Sequence, residues 1–130
     1  IGFLPDGTRA YVASELAGKV YAIDVAAGRV VAEIAAGQFP NGIAVHPDGK
    51  RVFVSNGRDG SVMAIDVASN RVLASIPVGK RPWNMALTPD GAKLYVANGR
   101  SGTVSVIDTA GYRKLADVPV GELPWGVAIP

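Results

Sequence analysis

The stretch Pro47-Asp48-Gly49-Lys50-Arg51-Val52-Phe53-Val54-Ser55-Asn56-Gly57 decides the fold. Pro presets φ, Asp bonds the backbone ahead of it, and Gly supplies a positive φ, so the first four residues read as a tight turn. Residues 51–56 read as a strand, and Asn56-Gly57 opens a hairpin loop. Val52, Phe53 and Val54 are consecutive apolar residues rather than an alternation. A strand written that way needs cover on both faces.

The same turn recurs as Pro5-Asp6-Gly7 and as Pro89-Asp90-Gly91, each 42 residues away with no insertion. Other positions keep the step: Val12, Val54 and Val96; Gly18, Gly60 and Gly102; Asp24, Asp66 and Asp108; Arg29, Arg71 and Arg113; Pro40, Pro82 and Pro124. The middle copy predicts four strands, A at 42–45, B at 51–56, C at 61–67 and D at 71–78. Ala22 to Ala36 is Ala-rich and could be taken for a helix on propensity alone. The matching positions hold Asn70, Pro77, Gly111 and Pro119, which break helices, so strand wins. A four-stranded unit of this length is one blade of a β-propeller. Solenoid repeats usually carry fewer strands or include helices. The predicted fold is therefore an all-β propeller of three four-stranded antiparallel blades, with repeats at about 1–42, 43–84 and 85–126 and the start of a fourth inner strand running to 130.

Composition agrees. The chain has 130 residues, 48% hydrophobic and 18% charged, which suits one domain with a core and excludes disorder. A net charge of +2 is too small to mark a nucleic-acid binder. The absence of cysteine excludes disulfides, thiolate metal sites and a Cys nucleophile. The most apolar window, 20–37, contains Asp24, Arg29 and Glu33 and predicts no membrane span. No basic segment precedes an apolar one at the start, so no signal peptide is visible.

Tyr95-Val96-Ala97-Asn98 resembles the Tyr-Val-Thr-Asn signature of the YVTN family of β-propeller repeats, with Phe53-Val54-Ser55-Asn56 and Tyr11-Val12-Ala13-Ser14 as variants. The Pro-Asp-Gly turn and Val106-Ile107-Asp108-Thr109-Ala110 are similar to that family as well. No copy has Thr at the third position, and Ser14 stands where the family has Asn. The resemblance covers the whole chain. It implies a periplasmic or extracellular setting, and relatives among surface-layer proteins, proteins encoded near quinone-dependent dehydrogenases, and haem-holding propellers. A haem or quinone cofactor in a longer parent is implied by that resemblance alone. The residues themselves predict none.

Closed propellers usually have about four to eight blades. Three blades therefore predict either a piece of a longer ring or half of a six-bladed assembly of two copies. In both cases further blades, or a second copy, would cover apolar faces left open at the two outer blades.

The D–A and B–C loops are predicted at one end of the propeller and the A–B and C–D turns at the other. The A–B turn repeats almost unchanged, as a structural part would. The D–A loop varies between flanking Gly and Pro: Gln38-Phe39-Pro40-Asn41, Lys80-Arg81-Pro82-Trp83, Glu122-Leu123-Pro124-Trp125. The B–C loops add Glu15 and Leu16, Arg58 and Asp59, Arg100 and Ser101. Variable polar and aromatic side chains on a rigid frame suit recognition. The candidate binding residues are Trp83, Trp125, Arg81, Phe39, Asn41, Arg58 and Arg100, for an anionic or aromatic ligand or a partner protein. The competing reading packs the Trp rings against neighbouring blades and leaves the Arg side chains solvated.

No catalytic residue and no metal site is expected. His46 is the only histidine and reads as a surface turn residue, where other copies carry Leu4 and Thr88. Asp24, Asp66 and Asp108 recur at strand ends, where turn capping explains them better than a carboxylate ring. The paired glycines precede no helix and form no dinucleotide fingerprint. The function predicted is a non-enzymatic binding scaffold; the alternatives are a redox accessory and a structural cell-surface module.

Overall fold

All three Pro-Asp-Gly turns close the same hairpin in the computed structural model, which describes residues 1–130. Gly7, Gly49 and Gly91 take φ of 72°, 70° and 73°, in the left-handed region glycine tolerates. The preceding Asp side chain accepts the amide two residues on: Thr8 at 2.9 Å, Lys50 at 2.8 Å, Ala92 at 3.0 Å. One local device, written three times, thus sets three A–B connections.

The strands follow the period. They are β1 (Gly2–Phe3), β2 (Arg9–Ser14), β3 (Lys19–Asp24), β4 (Arg29–Ala35), β5 (Pro40–Val45), β6 (Arg51–Asn56), β7 (Ser61–Asp66), β8 (Val72–Pro77), β9 (Pro82–Leu87), β10 (Lys93–Asn98), β11 (Thr103–Asp108) and β12 (Arg113–Pro119). They form three antiparallel sheets in meander order, β1–β4, β5–β8 and β9–β12, called blades 1, 2 and 3 below. No helix is present. Even the irregularities recur: the two outer strands shift register after Ala22, Ala64 and Val106. Asp24 and Asp66 cap the C–D turns through the amides of Ala27 and Ser69.

The middle blade shows why Val52, Phe53 and Val54 run together. Val52, Val54, Met63 and Ile65 pack against Tyr11, Val20, Ala22 and Ile34 of blade 1. Phe53, Val62, Ala64 and Ile76 pack on the other face against Met85, Leu94, Val96 and Ile107 of blade 3. Each large side chain so buried contributes roughly 1.5–3 kcal/mol relative to exposure. Inner strands of neighbouring blades pack closely while outer strands barely touch, so the sheets fan out from one side as propeller blades do. All seven residues of β12 are exposed. The same position is 5% exposed at Ile34, 2% at Ile76 and 45% at Val118. The first two have a following blade and the third has none, so stacking rather than side-chain type sets burial here.

Two arginines tie the blades at the turn end. Arg9 donates to the Val67 carbonyl at 3.0 Å, and Arg51 donates to the Thr109 carbonyl at 2.8 Å. Each reaches from strand B of one blade to the C–D turn of the next.

Two expectations need correction. His46 is buried, not on the surface. Its Nε2 lies 3.1 Å from the Gly91 carbonyl of the next blade, and its Nδ1 lies 2.9 Å from Asp48. The imidazole fills the seam between blades 2 and 3, as the buried Leu4 does one blade earlier. The second concerns residues 120–130, which form no strand. An inner strand needs the strand B of its own blade for a ladder, and residues 1–130 hold no such partner for this segment.

Candidate functional site

At the loop end the backbone is as periodic as at the turn end. Phe39, Arg81 and Leu123 take φ of 57°, 53° and 51°. A left-handed residue just before proline is sterically disfavoured, yet it occurs in every copy. In the first two copies it is held by hydrogen bonds. The turned carbonyl of Phe39 accepts the Gly57 amide at 2.8 Å, and that of Arg81 accepts the Gly99 amide at 2.9 Å. Gln38 and Lys80 carbonyls accept the amides of Arg58 and Arg100. The B–C loop also answers back: Asp59 accepts the Gln38 amide at 2.8 Å, and Ser101 accepts the Lys80 amide at 2.7 Å. D–A and B–C loops are therefore welded into one frame.

That frame makes a recess at each blade. The first is lined by Glu15, Leu16, Gln38, Phe39 and Asp59, with a volume of about 430 Å³. The second, about 970 Å³, is lined by Arg58, Asp59, Lys80, Arg81, Arg100 and Ser101, over a floor of Gly57, Gly60 and Gly79. The third, about 780 Å³, is lined by Arg100, Ser101, Glu122 and Leu123. Equivalent positions line all three, but the charge differs. The first carries two carboxylates and no cation, the second four cations and one carboxylate, and the third one of each.

Of the candidate residues, Arg58, Arg81 and Arg100 line one recess, and Lys80, not among the candidates, joins them. Lys80 belongs to the same variable loop, and its charge beside Arg81 was the available signal. Phe39 lies at the border of the first two recesses. The guanidinium carbon of Arg58 is 4.2 Å from the centre of its ring and that of Arg81 is 5.5 Å away, both within cation–π range. Trp83 and Trp125 pair with each other, ring centres 5.7 Å apart and tilted by 47°, outside the recesses. The Trp83 ring lies on Gly99, where a β-carbon would collide with it, and its carbonyl accepts the Ser55 hydroxyl at 2.6 Å. Trp83 therefore packs within its own blade while its backbone is tied to the previous one. Trp125 is 72% exposed. Asn41 is exposed and lines none of the recesses.

No group of three or more His, Cys, Asp or Glu side chains is placed to hold a metal ion. Haem ligation would fall to His46, but both its ring nitrogens are engaged in the seam at the opposite end. His46 does not fit an axial haem ligand.

Sheets stacked about an axis with loops gathered at one end define a β-propeller. The chain belongs to the family described as "Lactonase, 7-bladed beta-propeller", whose model matches residues 1–113. No curated protein sequence matches it. Among solved structures, Kuenenia stuttgartiensis hydrazine synthase is similar with a TM-score of 0.92 at 28% identity, over 95% of this chain and 36% of that one. A functionally unknown protein from Desulfotomaculum acetoxidans DSM 771 gives 0.87 at 20% identity, over 99% and 44%. Dihydro-heme d1 dehydrogenase NirN, in complex with DHE, gives 0.78 at 21% identity, over 92% and 28%. The last two show the fold alone. This chain spans less than half the length of each of them.

Proposed function

We propose that the chain is a non-enzymatic, YVTN-type propeller segment whose loop-bearing end binds a ligand or a partner protein. One observation carries the reading: three recesses share a backbone frame, and only their side chains differ. A shared frame with divergent lining is how one scaffold presents different chemistry at each blade. The proposal assigns no catalytic residue, and places the protein in the periplasm or outside the cell, in keeping with the family resemblance. Both tryptophans sit at the loop end, so their indole N–H signals report on it. Ligands drawn from a metabolite and peptide set are expected to shift the Trp83 or Trp125 indole resonances. Binding that moves only the His46 ring signals, at the turn end, would overturn the reading.

A redox accessory is the second reading, because two of the similar structures are a hydrazine synthase and a dihydro-heme d1 dehydrogenase. Any haem would then be ligated by other segments of a longer protein, since His46 is engaged. Purification of the protein from its full reading frame tests this. A visible cofactor band favours the accessory, and a colourless, ligand-responsive protein favours the scaffold.

A further inference from the structure

We infer that the recess between blades 2 and 3 docks an acidic segment of a partner protein. The inference rests on the binding reading above and names its partner's chemistry. Arg58, Lys80, Arg81 and Arg100 line this recess, and none of them is paired with a carboxylate. Two cations at the turn end, by contrast, are used internally: Arg9 and Arg51 grip the next blade, and Arg51 also lies 3.6 Å from Asp48. Asp59, the one carboxylate of the recess, is occupied by the Gln38 amide. The four charges are thus available.

Two of them are also prepared. Arg58 and Arg81 both lie over the Phe39 ring, so two guanidinium groups contact one aromatic ring and neither is paired with a carboxylate. The ring limits their wandering, which lowers the entropy lost on binding. Their mutual repulsion is relieved when a carboxylate enters and accepts from both forks.

The lining argues for a chain segment over a free small molecule. Pockets for small ligands are usually enclosed and mostly apolar. Here Pro77 and Val78 are the only apolar side chains, and Arg58, Lys80, Arg100 and Ser101 are exposed to solvent. The cations come from two B–C loops and the D–A loop between them, spread along an open recess of about 970 Å³. A row of spaced positive charges matches a row of spaced carboxylates, and attraction of this kind steers association and weakens with salt.

Fluorescence anisotropy of a labelled hexaglutamate peptide with the 130-residue chain tests the inference. The peptide is expected to bind at low salt, and a hexalysine peptide is not. The double variant Arg58→Gln/Arg81→Gln is expected to weaken binding about tenfold, as loss of two exposed charge pairs would. Arg71→Gln, a cation at the turn end, is expected to leave it unchanged, and circular dichroism confirms that each variant is folded. Equal binding by the double variant and Arg71→Gln would overturn the inference. So would full displacement of the peptide by citrate at equal concentration, which marks a free-anion site. A peptide that fails to bind, while other ligands still shift the Trp83 indole, sinks the acidic partner and leaves the binding reading standing.

Discussion

The turn end and the loop end are built on equally regular backbones, yet they use their side chains in opposite ways. At the turn end Asp6, Asp48 and Asp90 cap their own turns, Arg9 and Arg51 clasp the next blade, and His46 fills the seam. At the loop end the frame closes mainly through backbone amides and carbonyls, with Asp59 and Ser101 as side-chain help. Arg58, Lys80, Arg81 and Arg100 are left over. Periodicity of the chain alone therefore does not separate structure from function. The separation lies in how unpaired charges are arranged: four of them line one recess at the loop end, whereas Arg29 and Arg71 at the turn end stand one to a blade.

The hardest blow to that contrast is expected at Gly91. Its φ is 73°, and a β-carbon there would run into the His46 imidazole. Gly91→Val combines left-handed strain with overpacking of the seam and should cost about 3 kcal/mol or more. Thermal or denaturant unfolding reads this directly, and an unchanged midpoint would remove the turn end from the structural side of the comparison. Arg51→Ala comes next. It strands the Thr109 carbonyl and empties the space over the Tyr112 ring, where the guanidinium carbon is 5.9 Å from the centre. A loss of about 1–3 kcal/mol is expected. The equivalent Arg9→Ala should behave alike, since the clasp repeats.

Much of this was legible in the sequence because the same message is written three times. The bounds predicted for strand B of the middle blade match β6, and the unbroken apolar run Val52-Phe53-Val54 announced a blade covered on both sides. The helix signal of the Ala-rich segment lost to strand because its copies carry helix breakers. His46 reads as a surface residue by its type, yet its position in the repeat is a buried one. Leu4, its equivalent, is apolar, and that was the clue to burial. The left-handed residues before proline were not legible at all. Phe39, Arg81 and Leu123 share no side-chain property; the amides of Gly57 and Gly99 from a separate loop hold the conformation at Phe39 and Arg81, and Leu123 takes it without such a bond. Residues 120–130 show the same limit: a strand pattern becomes a strand only when its partner is there.

Acid sharpens the contrast with a smaller effect. Ser69 holds Asp66 below the ordinary carboxylate value through its hydroxyl and its amide. Thr88 and the Ala92 amide do so for Asp90, and the amide and hydroxyl of Thr8 for Asp6. For Asp48 burial pushes upward, but the Lys50 amide, His46 and Arg51 together outweigh it. A lowered native pKa means that the unfolded chain binds more protons in acid. This stabilisation is present above the unfolded value of about 3.9 and is lost as pH falls through the native one. Unfolding midpoints are expected to drop below about pH 4, and Asp66→Asn combined with Asp90→Asn to flatten that drop. A slope unaffected by the pair would mean the caps are bystanders.

The smallest expected change is the most telling one. Lys80 is exposed and unpaired, and only its backbone is held, by Ser101 and by the Arg100 amide. Lys80→Ala keeps both of those bonds and removes a charge standing among Arg58, Arg81 and Arg100. Relief of repulsion then opposes the loss of side-chain packing, and stability should move by less than about 0.5 kcal/mol in either direction. Arg51 carries the same charge at the turn end, where its removal is expected to be felt several times over. If Lys80→Ala destabilised the fold as much as Arg51→Ala, the cations of the recess would be structural, and the loop end would have nothing left to offer a partner.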